Sequence, residues 1–198
     1  MSAAHADDGL PARLAERLRR RPPALHAEWD ATPAAVLVPL YRQDDAWHVL
    51  FTRRTDLVDV HRGQVSFPGG RIEPGDAGPE QAALREAEEE LGLAPDQVSL
   101  LGRLDTLLTI TRFRVEPVVG VLRWPAALRP NPQEVARAFG VPLAWLAEPA
   151  NLERQDHPAP EGPPIPVYSF RPFRGEVVWG ATARITLSLL EALRAPYP

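Results

Sequence analysis

The feature that most constrains the fold of this chain is a stretch near its centre, Pro79–Leu91, that predicts an α-helix. The stretch is rich in Ala, Glu, Gln and Leu, which are strong helix formers. Pro79 stands where a helix begins and Gly92 stands just after its end, the positions that these two residue types favour. A glycine-rich segment, residues 69–78, precedes the helix. The fold must therefore accommodate a tight loop followed by a rigid helix.

Segments that predict β-strands lie on both sides of this helix. Residues 34–41 and 47–52 are mostly apolar, and Gln43, Asp44 and Asp45 form the turn between them. Further strands are expected at residues 98–101, 106–110, 115–122, 167–170 and 177–179. Strands that surround one strong helix indicate an α/β or α+β fold with a mixed sheet.

Both ends of the chain carry helical patterns. Leucines at positions 10, 14 and 18 predict a short amphipathic helix over Leu10–Arg20, which Pro22 and Pro23 end. Residues 182–193 predict a terminal helix. Residues 151–166 contain five prolines and predict a surface loop.

The composition excludes several kinds of chemistry. The chain has no cysteine, which removes disulfides, thiolate metal sites and cysteine nucleophiles. It has no lysine, which removes a Schiff-base lysine and a phosphate-loop lysine. The net charge is −4, so we expect no nucleic-acid partner. Residues 1–9 lack a signal-peptide pattern and no apolar run is long enough to cross a bilayer, so we expect a cytoplasmic protein without a membrane partner.

Three glutamates of the central helix share one face. Glu86, Glu89 and Glu90 stand at positions i, i+3 and i+4, whereas Glu88 falls elsewhere. Like charges at these spacings repel by ~0.2–0.5 kcal/mol per pair on an isolated helix, and a cation between them reverses that cost. Oxygen ligands without sulfur suit Mg²⁺ or Mn²⁺.

A run of glutamates alone is more typical of a solvated helix face than of a metal site. The glycine-rich segment in front of this helix favours the second interpretation. Glycines at positions 69, 70 and 75 let the backbone turn tightly and approach a ligand closely. A loop of this kind that leads into a helix with three carboxylates predicts a site for a diphosphate and a metal ion.

The residues from Arg85 to Leu93, R-E-A-E-E-E-L-G-L, resemble the second half of the Nudix box, G-x5-E-x7-R-E-U-x-E-E-x-G-U, where U is aliphatic. Gly70 aligns with the first glycine of that box. Two departures occur. Asp76 stands where the box has Glu, and eight residues rather than seven separate it from Arg85. We expect the loop before the helix to absorb the extra residue.

The resemblance implies a mixed β-sheet sandwiched between helices, with the box as a loop, helix and loop. It implies that Glu86 and Glu90 are the main Mg²⁺ ligands, that Glu89 is a further ligand or the base, and that the Gly70 carbonyl also reaches the metal. Arg85 would hold the carboxylates by ion pairing. Metal ions neutralise pyrophosphate oxygens and position the attacking water. Glu73, ahead of the helix, would have a structural or outer-sphere role.

Two segments before the helix resemble the signature of the coenzyme A pyrophosphatase branch of this family, L-L-T-x-R-[SA]-x3-R-x3-G-x3-F-P-G-G. Residues 50–55, L-F-T-R-R-T, carry the matching Arg54, and residues 63–70, G-Q-V-S-F-P-G-G, match its end. Asp59 stands where the signature has Arg, which reverses a charge. Arg62 or His61 would have to replace that arginine from a neighbouring position.

Three segments after the helix are similar to the same branch. Residues 115–120 match V-x-P-V-V-G, residues 134–139 match E-V-x-x-x-F, and residues 178–183 match V-W-G-x-T-A. The resemblance therefore covers residues 34–195, which we interpret as a Nudix hydrolase domain. Residues 1–33 form an N-terminal helical extension.

The resemblance implies a substrate site as well. Arg54, Arg62 and Arg53 are candidates for binding the phosphates of a CoA-type nucleotide, because a guanidinium fork matches phosphate geometry. Gly69 and Gly70 would lie against the substrate. Glu134 either acts as a base from a separate loop or caps a helix that follows Pro132. Trp179 is expected in the core.

The predicted reaction is Mg²⁺-dependent hydrolysis of the pyrophosphate bond of CoA or acyl-CoA, giving adenosine 3′,5′-bisphosphate and 4′-phosphopantetheine or its acyl form. Glu89 is the favoured base. Other Nudix substrates, namely ADP-ribose, NADH or dinucleoside polyphosphates, are an alternative. A non-catalytic nucleotide-binding module is a second alternative, which the presence of all three box glutamates disfavours. A homodimer is compatible with the resemblance.

Overall fold

The computed structural model describes residues 9–26, 30–55, 63–158 and 164–194. The first half of the chain contains α1 (Leu10–Arg20), β1 (Thr32–Gln43), β2 (Ala46–Arg54), β3 (Val65–Ser66), β4 (Gly69–Arg71) and α2 (Pro79–Leu91). The second half contains β5 (Val98–Arg103), β6 (Leu107–Leu108), β7 (Phe113–Leu122), β8 (Val135–Pro142), α3 (Leu143–Ala147), β9 (Leu152–His157), β10 (Ile165–Phe170) and α4 (Gly180–Arg194).

One mixed sheet of eight strands organises the fold. Strands β3, β2, β1, β7 and β5 lie side by side in that order, while β4 pairs with β1, β6 with β7 and β8 with β2. Strand β1 runs parallel to β7, and all other pairs in the sheet are antiparallel. The apolar sequence of β1 fits this central position, because a strand covered on both faces needs apolar side chains on both.

The two faces of the sheet carry separate hydrophobic clusters. On one face, Leu37 of β1 packs with Ala83 and Leu91 of α2. On the other face, Val38 of β1 packs in a cluster with residues of α1 and α4, including Leu14 and Leu189. The sheet therefore lies between helices, which confirms the predicted α/β (α+β) class with a mixed sheet. None of the helices in the described ranges is long and apolar enough to cross a membrane.

The helices follow the sequence closely. Helix α2 begins at Pro79, and Gly92 follows its last residue in the left-handed conformation with φ 67°. Glycine adopts that conformation without a steric cost, which is why α2 ends there. Helix α1 has the predicted bounds, and α4 begins two residues before the predicted helix. Leu14 of α1 is fully buried, so α1 contributes to the same core as α4.

The prediction of a helix after Pro132 was wrong. Residues 135–142 form strand β8, which pairs with β2 along the edge of the sheet. The pairing passes from Arg53 opposite Arg137 to Arg54 opposite Val135, so Ala136 is an extra residue in β8. Such a bulge interrupts the alternation of side chains by which a strand is recognised. The helix was one of the two alternatives for Glu134, and the structure excludes it.

Four smaller predictions also needed correction. Residues 152–157, predicted as loop, form β9, which pairs with β10 in a two-stranded sheet. This strand is mostly exposed and charged, so no apolar pattern marks it. The strand predicted at 177–179 is reduced to a single bridge between Trp179 and Ser169. The strand predicted at 106–110 contains only Leu107–Leu108. Trp179, expected in the core, is 44% exposed.

The burial of α1 leads to a prediction about stability. Leu14→Ala is expected to lower the free energy of unfolding by about 2–5 kcal/mol, because it leaves a cavity in a fully packed core. Urea denaturation measures this change. Leu25→Ala is the matched control, since Leu25 is 48% exposed, and should change the free energy by less than about 0.5 kcal/mol. Equal effects of the two substitutions would show that α1 does not stabilise the domain.

Candidate active site

The glycines of β4 bring the backbone against helix α2. A side chain on Gly70 has no room, because a Cβ atom there would lie 2.4 Å from Oε1 of Glu86. A Cβ atom on Gly69 would lie 2.4 Å from the carbonyl oxygen of Ala35 in β1. Glycine at both positions therefore allows β4 to pair with β1 and to contact the Glu86 carboxylate at the same time.

Glu90 lies one turn further along α2 and is only 3% exposed. Its carboxylate accepts a hydrogen bond from the backbone N–H of Gly69. The pKa of Glu90 is raised to about 8, first by burial; the charge of Arg54 lowers it, and the charges of Glu86 and Glu134 raise it. A buried carboxylate with like charges around it fits a cation more readily than it fits a solvated helix face.

Glu86 is in a similar environment. Burial raises its pKa above the usual range for Glu, and the charges of Glu89 and Glu134 act in the same direction. Arg85 lowers it, because Nη1 of Arg85 donates a hydrogen bond of 2.9 Å to Oε1 of Glu86. Glu86 and Glu90 thus form a pair of partly desolvated carboxylates beside the two glycines of β4.

Arg85 connects the helix to the loop that precedes it. Its Nε and Nη2 atoms each donate to the Asp76 carboxylate at 3.1 Å, and Nη2 also donates to the backbone carbonyl of Arg71 at 3.0 Å. The pKa of Asp76 is lowered, first by these bonds to Arg85 and next by the bond from the backbone N–H of Glu73. The loop contains one residue more than the family pattern, and Asp76 is shorter than the Glu of that pattern. Asp76 nevertheless contacts Arg85.

The third glutamate of the box is oriented differently. The Glu89 side chain is 55% exposed, and one of its oxygens lies 3.3 Å from Nη1 of Arg85. The three glutamates share a helix face, but their burial is unequal. The contact with β4 buries Glu86 and Glu90, whereas Glu89 lies on the solvent side of Arg85.

Glu134 approaches the same carboxylates from a separate loop. The charge of Glu134 acts on both Glu86 and Glu90. Its backbone carbonyl accepts a hydrogen bond of 2.9 Å from the N–H of Thr55, at the end of β2. It precedes strand β8 rather than a helix, so it caps no helix.

The arginines predicted for substrate phosphates lie in different places. The charge of Arg54 acts on buried Glu90, and its Nε is buried without a hydrogen-bond partner in the described part of the chain. Arg53 lies 3.6 Å from the buried Glu176, which Arg137 also contacts at 3.4 Å. Arg54 is therefore next to the α2 carboxylates, whereas Arg53 belongs to a separate ion-pair cluster. Arg62, His61 and Asp59 lie outside the described residues.

The donors at this site are suited to a hard divalent cation. Two carboxylates with raised pKa values, those of Glu86 and Glu90, lie close together on α2, and the backbone of Gly69 and Gly70 lies beside them. Mg²⁺ and Mn²⁺ prefer such oxygen ligands. Across the described ranges, no three His, Asp or Glu side chains are already drawn together as a metal cluster. Glu86 and Glu90 are the best placed to hold the ion, with Glu89 and Glu134 at their sides.

Sequence reasoning did not identify Asn131, which contacts two residues of this site. Its backbone N–H donates to the carbonyl of Glu90 at 2.8 Å, and its side-chain amide donates to Oε1 of Glu134 at 3.3 Å. The signal available was its position between Pro130 and Pro132, which is typical of a turn. A turn motif alone does not indicate which carboxylate the Asn131 side chain binds.

Comparison with known proteins identifies the family. The NUDIX domain matches residues 31–161, which is most of the chain and includes β1, β4, α2 and β8. The chain therefore belongs to the Nudix hydrolase family, as the residues of α2 predicted. The coenzyme A branch remains a prediction.

Two relatives and one solved structure agree with this placement. The protein named Uncharacterized Nudix hydrolase NudL from Klebsiella pneumoniae subsp. pneumoniae is 40% identical over 128 residues, 65% of this chain and 66% of that protein. This alignment spans just under two thirds of the relative. The NudL protein of Photorhabdus laumondii subsp. laumondii is 34% identical over 178 residues, covering 90% of this chain and 94% of that protein.

The crystal structure of a NUDIX hydrolase from Alicyclobacillus acidocaldarius aligns with a TM-score of 0.51. The two chains are 19% identical, and the alignment covers 61% of this chain and 83% of that one. At this identity the likeness concerns the fold alone, and it agrees with a mixed sheet between helices.

The Arg85–Asp76 pair leads to a prediction about pH. Asp76→Asn is expected to lower the free energy of unfolding by about 1–3 kcal/mol at pH 7, because the partly buried Arg85 loses a charged partner. The folded-state pKa of Asp76 is lowered, so its stabilisation is fully present above about pH 4, the unfolded pKa, and is lost as the pH falls through the folded pKa. Urea denaturation between pH 7 and pH 2.5 measures both effects.

Asp156→Asn serves as the control for this substitution. Asp156 pairs with Arg154 on an exposed strand, where an ion pair contributes little. The difference between wild type and Asp76→Asn should shrink in acid, whereas the difference for Asp156→Asn should be small throughout. A deficit in Asp76→Asn that stays constant down to pH 2.5 would contradict the assignment of a charged Asp76–Arg85 pair.

Proposed function

We propose that this Nudix family member hydrolyses the pyrophosphate bond of CoA or acyl-CoA in a reaction that depends on Mg²⁺ or Mn²⁺. The observation that carries the proposal is the burial of Glu86 and Glu90 against Gly69 and Gly70. This arrangement concentrates carboxylate charge beside a backbone segment with no side chains. The charge of these carboxylates suits a metal ion that carries a diphosphate.

Each group of the chain has a distinct task in this proposal. Glu86 and Glu90, with the Gly70 carbonyl, would hold the ion, which neutralises pyrophosphate oxygens and favours ionisation of the attacking water. Arg85 fixes the Glu86 carboxylate through its 2.9 Å bond and is itself fixed by Asp76. The position of Glu86 therefore depends on the loop before the helix as well as on the helix.

The preference for CoA is supported by the segments around β2 and β4. Arg54, the arginine of the CoA signature, is close enough to Glu90 for its charge to act on that carboxylate. A guanidinium there can bind a substrate phosphate beside the metal ligands. The end of the same signature includes Phe67, whose ring stacks on Phe51 at 4.9 Å and anchors the backbone before Gly69. The products would be adenosine 3′,5′-bisphosphate and 4′-phosphopantetheine or its acyl form.

Two carboxylates are candidates for the base that accepts a proton from water. Glu89, favoured by the family resemblance, is more than half exposed and contacts Arg85. Glu134 lies on a separate loop, and its charge acts on Glu86 and Glu90. General acid–base catalysis of this kind contributes about 10²–10⁴-fold to a rate, so Glu→Gln substitutions at the two positions distinguish them.

The central test is a substrate panel with Mg²⁺. CoA, acetyl-CoA, dephospho-CoA, ADP-ribose, NADH and diadenosine polyphosphates are incubated with the purified protein, and the products are identified by chromatography and mass. We expect kcat/KM to be highest for CoA or acetyl-CoA, with release of adenosine 3′,5′-bisphosphate. Glu90→Gln should lower kcat by at least about 10²-fold, since it removes a charged metal ligand.

Each other outcome of the panel has a defined meaning. Rapid cleavage of ADP-ribose or NADH with CoA intact would contradict the CoA assignment and leave the Nudix hydrolase assignment in place. Binding of nucleotides without cleavage of any of them, under both Mg²⁺ and Mn²⁺, would indicate a non-catalytic module. Equal activity of wild type and Glu90→Gln would remove Glu90 from the metal site.

Neighbouring arginines provide a second test. Arg54→Gln is expected to lower kcat/KM for CoA by about 10–100-fold, because a charge-assisted bond to phosphate is lost. Arg53→Gln should have a smaller effect, since Arg53 contacts Glu176 away from the α2 carboxylates. Steady-state kinetics with CoA measure both. A larger loss for Arg53→Gln than for Arg54→Gln would place the substrate phosphates on the other arginine.

A further inference from the structure

The loop before β8 is attached to the C-terminal end of α2. The backbone N–H groups of Arg129 and Asn131 donate to the carbonyl groups of Leu91 and Glu90, at 2.7 and 2.8 Å. Carbonyl groups in the last turn of a helix have no partner within the helix, so they are free to bind such a loop. The loop is therefore attached to the same helix, and to the same residue Glu90, that carries the proposed metal ligands.

Asn131 uses its side chain to shape this loop. Its Nδ2 atom donates to Oε1 of Glu134 at 3.3 Å, and its Oδ1 atom accepts from the N–H of Gln133 at 3.1 Å. The backbone carbonyl of Asn131 accepts from the N–H groups of Glu134 and Val135, at 3.0 and 2.8 Å. One residue thus contacts the backbone of Glu90 on one side and the carboxylate of Glu134 on the other.

Glu134 is also fixed from the sheet. Its backbone carbonyl accepts from the N–H of Thr55, the residue after Arg54, at 2.9 Å. The side chain of Asn131 then determines which way the Glu134 carboxylate is directed. Two backbone anchors and one side-chain bond hold the carboxylate near Glu86 and Glu90 without any contact to Arg85 among the described residues.

We propose that Asn131 is a positioning residue that holds the Glu134 carboxylate at the α2 site, and that Glu134 rather than Glu89 accepts the proton of the attacking water. The inference rests on the proposed function, because it names the base of that reaction. Asn131 acts through Glu134 and contacts no reacting atom itself.

The contacts of the two glutamates favour Glu134. One oxygen of Glu89 lies 3.3 Å from a guanidinium that already binds Asp76 and Glu86, and the side chain is 55% exposed. Glu89 is thus already engaged by the guanidinium, on the solvent side of Arg85. Glu134 receives a neutral amide N–H instead, which orients it without adding a positive charge.

The proposed step is the attack of water on one phosphorus of the diphosphate. The oxygen of water forms a bond to one phosphorus, and one of its protons passes to the Glu134 carboxylate. The bond from that phosphorus to the bridging oxygen breaks, and its electron pair leaves with the other phosphate. The second proton of the water stays on the new phosphate, and Glu134 releases its proton to solvent.

Asn131→Asp is the most informative variant. It keeps the size of the side chain and the acceptor for the N–H of Gln133, but it removes the donor to Glu134 and adds a like charge. Glu134→Gln and the double variant complete a cycle, and Glu89→Gln is measured beside them. Asn151→Asp is the matched control. Like Asn131, Asn151 uses Nδ2 as a hydrogen-bond donor, in this case to the backbone carbonyl of Trp145 at 2.9 Å.

We expect Glu134→Gln to lower kcat for CoA by about 10²–10⁴-fold and Asn131→Asp to lower it by about 10–100-fold. The double variant should have the kcat of Glu134→Gln alone, because the positioned group is already absent. Asn131→Asp should change KM and the Mn²⁺ affinity, measured by calorimetry, by less than about threefold. Asn151→Asp is expected to alter the melting temperature but not kcat.

Several outcomes would overturn the inference. If Asn131→Asp lowers kcat by the same factor in the Glu134→Gln variant as in the wild type, Asn131 does not act through Glu134. A tenfold change in Mn²⁺ affinity would show that it acts through the helix. An unchanged kcat in Glu134→Gln, with a collapse in Glu89→Gln, would make Glu89 the base. Failure of wild type to cleave CoA would instead contradict the proposed function, whichever base is used.

Discussion

The close approach of β4 to helix α2 is the contact on which the site depends. Gly69 fits against the backbone of β1, and Gly70 leaves the space that the Glu86 carboxylate occupies. This contact removes Glu86 and Glu90 from water, and burial is the first cause of both raised pKa values. Desolvation of like charges is unfavourable in the isolated protein and becomes favourable once a divalent cation lies between them. The fold therefore holds these carboxylates in positions that lower its stability while no cation is bound.

Arg85 does not pair with one glutamate alone. Its guanidinium is shared between Asp76, the backbone of Arg71 and the glutamates Glu86 and Glu89. The two bonds to Asp76 fix the position of the guanidinium. From that position it donates a hydrogen bond to Glu86. The shorter side chain of Asp76 and the extra residue in the preceding loop compensate for one another, since both lie between the same two anchors. A departure from the family pattern is thus accommodated within one loop.

Local patterns in the sequence were enough for much of this structure. Helix α2 and the glycines before it were predicted because propensity, terminal residues and spacing all agreed. The unequal burial of Glu86, Glu89 and Glu90 was not predictable, because it depends on where β4 lies in three dimensions. Strand β8 was missed because a bulge at Ala136 breaks its alternation. Glu134 was a candidate from the family resemblance, whereas Asn131 reaches the site through long-range contacts that no local pattern encodes.

The difference between what was predictable and what was not has a physical basis in this fold. The α2 helix presents its carboxylates at fixed spacings, so the chemistry it supports is encoded locally. The neighbours that adjust it come from segments that return to the helix after many residues, namely the loop before β8 and the end of β2 with Arg54. Both approach Glu90, one through its backbone carbonyl and the other through its charge. On the proposed function, changes in these two segments would alter the substrate and the base while α2 keeps its carboxylates in place.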